Sequence, residues 1–207
     1  GYIGQYLITR FLELNSFDAY IVFDLIPPKY FNTLPNNVQF IAHDVRYPIP
    51  DFVNKINGPE SWIFNLAAIH REPGHTANEY FDTNIKGAKN INDFAEKIGV
   101  MNIFFTSSIA PYGKSMVIST EDSELNPQTP YGISKKEAEE IHKKWRDNNS
   151  EKKLIIVRPS VIYGPNDIGN ILRMIKAIKK GVFILPNGGH AIKAYGYVYG
   201  LVDSILF

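Results

Sequence analysis

Apolar residues recur along this chain in two alternating rhythms. Just after Gly1-Tyr-Ile-Gly4, residues Tyr6, Leu7, Phe11, Leu12 and Leu14 share one face at helical spacing and predict an opening helix. Tyr20-Ile-Val-Phe23, Val38-Gln-Phe-Ile41 and Ser61-Trp-Ile-Phe-Asn-Leu66 are short apolar runs that read as strands, with Pro27-Pro28 as a loop breaker. Tyr80, Phe81, Ile85, Ala88, Ile91 and Phe94 then return at three- and four-residue spacings, predicting a helix over 77–98. Ile103-Phe-Phe-Thr106 and Leu154-Ile-Ile-Val157 read as strands on either side of a charged helix from about Tyr131 to Asn148. Ile171 to Lys180 predicts a further helix, and Val202 to Phe207 lies inside an amphipathic one. Strands separated by helices in this way predict right-handed βαβ units, hence an α/β fold built on a doubly wound parallel sheet. The texture changes after about Gly164, where a second, smaller lobe is expected to begin.

Composition narrows the function classes. At 207 residues, 44% hydrophobic and 21% charged, the chain has the make-up of an ordinary globular protein. Its 22 basic and 21 acidic residues leave a net charge of +1, so no bulk field favours nucleic acid or an anionic membrane. The absence of cysteine excludes disulfides, thiolate catalysis and cysteine metal sites, and suits a cytoplasmic setting. No apolar run approaches the roughly 20 residues of a membrane span. An enzyme or a binding domain remains.

Two regions carry candidate chemistry. A glycine-rich turn entering a helix, as at Gly1-Tyr2-Ile3-Gly4, lets backbone N–H groups approach a pyrophosphate. Asp24 ends the next strand 20 residues after Gly4, the separation at which a carboxylate reaches ribose hydroxyls and disfavours a 2′-phosphate. A solvated turn residue is the alternative for Asp24. Asp44, beside Val45, either faces an adenine edge or closes a plain turn. Leu66-Ala67-Ala68 would let a flat cofactor lie against the backbone, although small residues at a strand end also serve tight helix packing. In the second region Tyr131 and Lys135 stand at i and i+4 on one helix face. A phenol titrates near ~10, and a neighbouring ammonium, joined by a nicotinamide cation, is expected to lower that value. Thr106-Ser107-Ser108 lies at a strand's C-terminal end, where ligands sit in open α/β sheets. There a serine could bridge a substrate hydroxyl and the tyrosine, or merely cap the strand.

The chain resembles the extended short-chain dehydrogenases, in particular the NAD-dependent epimerase/dehydratase group acting on nucleotide-activated sugars. Gly1-Tyr-Ile-Gly4 is similar to the second half of that family's Gly-x-x-Gly-x-x-Gly fingerprint, and Asn65-Leu-Ala-Ala68 to its H-x-A-A segment. Tyr80-Phe-x-x-Asn84-Ile-x-Gly87-Ala resembles the helix whose asparagine supports the catalytic helix. Phe105-Thr-Ser-Ser108-x-x-x-Tyr112-Gly113 and Pro130-Tyr131-Gly-x-Ser-Lys135 resemble its serine and P-Y-x-x-S-K motifs. Arg158-Pro159 through Tyr163-Gly164-Pro165 resembles the stretch leading into the substrate lobe.

The resemblance implies a catalytic set of Ser108, Tyr131 and Lys135. It implies NAD held by Gly1, Tyr2, Ile3, Gly4, Asp24, Asp44, Val45, Leu66, Ala67, Ala68, Asn84, Thr106, Tyr131, Lys135 and Pro159. Substrate contacts would come from His70, Arg71, Ser108, Tyr131 and Lys193, with a solvated loop as the alternative for His70 and Arg71. Residues 1–164 would form the NAD-binding Rossmann domain and 165–207 the start of the substrate lobe. No third ligand accompanies the histidines of His70-Arg-Glu-Pro-Gly-His75, so no metal is expected there.

Departures from the family's pattern sharpen the expectation. Its first strand and first fingerprint glycine have no counterpart before Gly1. That strand sits mid-sheet in the family, and its loss would leave buried backbone groups unpaired at roughly 1–3 kcal/mol each. The chain is therefore read as a piece of a longer protein. Val161 replaces an asparagine often seen after the Arg-Pro pair, and Lys193 replaces an arginine expected to meet the diphosphate. Family dehydratases carry an Asp-Glu pair where this chain has Ile109 and Ala110, neither able to transfer a proton. The expected reaction is thus epimerisation through a transient keto sugar, with 4-keto reduction or dehydration as alternatives. A non-catalytic NAD-binding sensor is the competing class. The charged run from Lys135 to Lys144 reads as a solvated helix face, of a kind that implies a homodimer in this family.

Overall fold

The computed structural model describes residues 1–28, 31, 33–50, 58–115, 117–167, 169–183, 186–190 and 192–207. They divide into two compact units, one formed by Gly1 and Asp18–Arg158, the other by Tyr2–Phe17 with Pro159–Phe207.

In the first unit β1 (Tyr20–Asp24) pairs in parallel with β2 (Val38–Ala42), Tyr20 opposite Val38. A separate parallel ladder runs β3 (Trp62–Asn65), β4 (Asn102–Thr106), β5 (Lys153–Val157), with Ile103 between Ile63 and Leu154. The expected single sheet is thus divided among the described strands. Each parallel step in the second ladder is made by helix. Between β3 and β4 the chain forms α2 (Ala77–Tyr80), a π turn (Phe81–Ile85) and α3 (Lys86–Ile98). Between β4 and β5 it forms α4 (Pro130–Asp147).

Local chemistry fixes the ends of these helices. Thr76 and Glu79 form a reciprocal capping box that opens α2. Gly99, at φ +71°, closes α3 in the left-handed conformation that glycine adopts freely. Thr129 caps α4 by accepting from Gly132 N, and Pro130 opens its first turn without wasting an N–H. The interior lies between these helices and β4, all five residues of which are buried. Ala95, Val100, Ile103 and Trp145 form one cluster, Ala88, Phe105 and Ala138 another.

The second unit contains α1 (Tyr2–Glu13), α5 (Asn170–Lys179), α6 (Val198–Leu206) and the parallel pair β6 (Val161–Tyr163) with β7 (Tyr195–Tyr197). Arg10 on α1 pairs with Asp203 on α6, and the Tyr2 and Tyr6 hydroxyls both donate to the Pro165 carbonyl. The short strands β6 and β7 were not visible as apolar runs. Each is three residues long, and their pairing spans 34 positions of sequence.

Candidate functional site

The C-terminal ends of β3 and β4 and the first turns of α4 bring the chemically suggestive residues together. Tyr131 and Lys135 lie one turn apart on α4, and the Ser108 side chain is close enough to the Tyr131 phenol to act on its pKa. Lys135 is 1% exposed; its Nζ donates to Thr106 O at 2.7 Å and lies 4.3 Å from the centre of the Phe105 ring. Burial pushes its pKa down to about 7, opposed by the charge of Glu139.

The expectation for Tyr131 needs correction. Its pKa is raised, because burial outweighs the lowering effect of Ser108, with Glu72 and Tyr80 adding to the rise. The Lys135 ammonium is directed to the Thr106 carbonyl, so the chain's own residues do not favour a phenolate.

Asn84 sits in the π turn, which inserts one extra residue into the helical ladder and re-aims the side chains around it. Its Oδ1 accepts from Ile69 N, while its Nδ2 donates to Ile69 O and to Ser134 Oγ, 2.9 Å away. Ser134 Oγ in turn donates to Tyr131 O. Asn84 therefore joins the loop after β3 to the first turn of α4. The sequence pattern predicted an unbroken helix here and carries no signal for the π turn.

Leu66, Ala67 and Ala68 follow β3 half-buried, with Ala67 N donating to Asn65 Oδ1. His70 has an exposed edge, yet desolvation of its imidazole, ahead of the Lys135 and His75 charges, lowers its pKa. Arg71 is exposed, and its carbonyl accepts from Tyr80 Oη. The Tyr80 ring lies 5.8 Å from that of Tyr131.

At the other end of this unit Asp24 accepts from Leu25 N and pairs with the Gly1 amino group. Asp44 forms a two-pronged ion pair with Arg46, which holds its carboxyl below the ordinary range. Val45 packs on Gly87, where an added Cβ would meet Val45 Cγ2 at 3.0 Å, and its carbonyl accepts from Asn90. Tyr2, Ile3 and Gly4 open α1 in the second unit, which also holds Pro159 and the exposed Lys193.

The charged run on α4 is only partly a solvated face. Glu137 and Lys144 are exposed, but Glu139 is 0% exposed and grips Arg158 through two bonds of 2.9 and 2.7 Å. His142, also fully buried, lies between Asn65 Nδ2 and Asn92 Oδ1. The first can only donate and the second only accept, so the proton is on Nδ1. Burial first, then the Lys135 charge, pushes the His142 pKa down to about 3. The spacing of Tyr131, Lys135, Glu139 and His142 continues one helix face, a signal that could have found the last two. Arg158 and Tyr112, which share a 2.8 Å hydrogen bond, stand in the Arg-Pro stretch and the serine motif, whose patterns give neither residue a role.

Two buried hydroxyls, Thr106 Oγ1 and Ser107 Oγ, have no hydrogen-bond partner among the described residues. Unpaired buried donors beside a lysine with two further N–H groups suit a polar ligand at the end of β4. Among the described residues no group of His, Asp and Glu could hold a metal, and no helix is long and apolar enough to cross a membrane.

The sequence profile described as "NAD dependent epimerase/dehydratase family" matches residues 1–207. The chain belongs to that family. Among its relatives is an N-acetyl-alpha-D-glucosaminyl-diphospho-ditrans,octacis-undecaprenol 4-epimerase of Escherichia coli O157:H7, 37% identical over 143 residues, covering 69% of this chain and 43% of the relative. A decarboxylating sterol-4-alpha-carboxylate 3-dehydrogenase of Saccharomyces cerevisiae is 28% identical over 178 residues, covering 81% of this chain and 50% of the relative. The chain thus spans about half the length of these epimerase/dehydratase relatives. Its fold resembles that of a UDP-glucuronic acid 4-epimerase from Bacillus cereus solved with NAD, at a TM-score of 0.81 and 22% identity, covering 100% of this chain and 70% of that one.

Proposed function

We propose that the protein containing this chain is an NAD-dependent epimerase of a sugar activated through a diphosphate, with Tyr131 as acid/base. The observation that carries this reading is the cluster of Ser108, Tyr131 and Lys135, with the serine side chain close to the phenol and the lysine buried one turn along the same helix. The unpaired hydroxyls of Thr106 and Ser107 support a polar cofactor at the end of β4. In the first unit, Gly1, Asp24, Asp44, Val45, Leu66–Ala68, Asn84 and Lys135 are the candidates to hold NAD. When bound, that cofactor accepts and returns a hydride and brings a positive charge.

Tyr131 removes the proton from a sugar hydroxyl as its carbon is oxidised, and gives it back after the keto sugar has turned over. Ser108 orients that hydroxyl and donates to the phenolate. Lys135, one turn along the helix, donates to Thr106 O and keeps two further N–H groups for a ligand. Because the chain's own residues raise the Tyr131 pKa, a phenolate at neutral pH needs the positive charge that the cofactor supplies. Ile109 and Ala110 offer no proton to a leaving hydroxyl, which favours epimerisation over dehydration. His70, Arg71 and Lys193 are the substrate candidates.

The carrier of the sugar has two readings. A nucleotide follows from the sequence motifs. A polyprenol diphosphate is favoured by the 37% identical relative named for that substrate. Both share the diphospho-sugar.

The test is to incubate the intact protein, purified with its bound NAD, with UDP-, GDP- and dTDP-sugars and with a polyprenyl-diphospho-sugar, followed by NMR. A 4-epimer formed without added NADH and lost in Tyr131→Phe is the expected result. Tight NAD binding with no turnover of any arm would favour a keto reductase or a non-catalytic NAD-binding protein.

A further inference from the structure

Beyond Ser108, Tyr131 and Lys135, α4 buries a carboxylate that the mechanism does not use. Glu139 follows Lys135 by one turn and is fully buried. Burying an ion is tolerated only when its partners are well made, and here they are. The Arg158 fork takes both carboxylate oxygens, and Lys143 Nζ lies 3.9 Å from Oε2. Arg158 is itself anchored by Tyr112 Oη and by Glu121 O. Tyr112 follows Ser108 by four residues, so one guanidinium ties the serine loop, the end of β5 and the catalytic helix together.

We propose that Glu139, clamped by Arg158, is a positioning residue that keeps the Lys135 side chain charged in its buried place. The proposal rests on the reading of Tyr131 and Lys135 as the acid/base pair. Lys135 is surrounded by groups that do little to hold a proton on it. From β4 it meets the Thr106 carbonyl and the Phe105 ring. On α4, Tyr131 is neutral and His142 is hydrogen-bonded as a neutral ring, while His70, on the loop after β3, feels the same ammonium. Glu139 is the negative charge that acts on Lys135, and it opposes desolvation there. Arg158 holds the carboxylate in place by geometry and its charge is matched to it, so the pair stays buried without a free ion.

The test reads Lys135 directly, through the pH titration of lysine 13Cε NMR shifts in the intact protein, assigned with Lys135→Arg. In Glu139→Gln the Lys135 midpoint is expected to fall by about one pH unit or more. Glu139→Asp, which keeps the charge, is expected to recover most of that shift. Arg158→Lys keeps the clamp's charge without its fork; it should lower the melting temperature while leaving the midpoint nearly in place. The double variant Glu139→Gln/Arg158→Met removes both buried ions and leaves no unpaired charge; its Lys135 midpoint should still fall, though by less than in Glu139→Gln, which also leaves the Arg158 cation unanswered.

An unmoved midpoint in folded Glu139→Gln or in the double variant would overturn the proposal. So would an equal shift in Arg158→Lys, which would mark the pair as purely structural. If the wild-type protein turns over no sugar, the functional reading fails while this titration still gives its answer.

Discussion

Helices α3 and α4 pack beside the same strand β4, yet they bury opposite kinds of surface. The face that α3 turns inward carries Ala88, Ile91, Phe94 and Ala95, with Asn92 as its polar member. The inward face of α4 carries Ser134, Lys135, Glu139 and His142, with Ala138 and Trp145 between them. The α3 face needs only shape, since apolar burial is non-directional. The α4 face needs a partner for every polar atom, because an unmatched buried group costs far more than a matched one contributes. Those partners come from elsewhere in the chain: Arg158 for Glu139, Thr106 O for Lys135, Asn65 and Asn92 for His142, and Asn84 for Ser134. A polar helix face tied to other segments in this way holds its side chains in place, while Trp145 Nε1 on the same face has no hydrogen-bond partner among the described residues.

Breaking the chemistry itself should give the largest effect. Tyr131→Phe in the intact protein is expected to lower turnover by about 10²–10⁴-fold, the ordinary reach of a positioned acid/base, with an unchanged melting curve. Removing half of a buried pair comes next. Arg158→Ala leaves Glu139 charged with only the more distant Lys143 to answer it, and should destabilise by about 3–5 kcal/mol in urea unfolding, with most of the loss returned in Arg158→Met/Glu139→Leu. Phe94→Ala on α3 should cost about 3–5 kcal/mol as well, but no second substitution that removes a charge will restore it. That difference in rescue separates the two faces more cleanly than the size of either loss.

A pH series sharpens the contrast further. His142 titrates at about 3 in the folded chain, whereas an unfolded histidine does so near ~6.5. Between those values only the unfolded chain takes up the proton, so stability falls as pH falls from about 6.5 towards 3, by up to about 1.4 kcal/mol per unit. The urea midpoint of His142→Gln should lose that part of its acid slope, whereas Ile91→Val on α3 should keep it. The smallest expected effects are at the helix starts: Thr129→Ala and Thr76→Ala should each cost about 1 kcal/mol by the same unfolding measurement.

The comparison also explains what could be read in advance. The apolar face of α3 writes its own period into the sequence, so both the helix and its buried side were legible from Ala88, Ile91 and Phe94. The polar face of α4 has no such signature. Lys135, Glu139 and Lys143 in a row look like exposed i,i+4 pairs, because a charge pattern says nothing about whether water or Arg158 answers it. Tyr131 and Lys135 were legible through their motif context, and Ser108 through its place at a strand end. The direction of the Tyr131 pKa was not, since desolvation depends on what the fold stacks around the phenol.

From sequence alone came the alternation of strands and helices, the helix over 77–98, the charged helix from about Tyr131, and the motif residues at the ends of β3 and β4. Periodicity and capping are local properties, and a few neighbouring residues suffice to encode them. Only the tertiary structure decided that Glu139 meets Arg158, that His142 is bridged by Asn65 and Asn92, that Asn84 ties the loop after β3 to α4, and that Asp44 is taken up by Arg46. Most of these partners lie 19 to 77 positions apart, and even the short Asp44–Arg46 pair depends on how its loop is held. Their pairing follows from packing and desolvation in three dimensions, which no one-dimensional pattern carries.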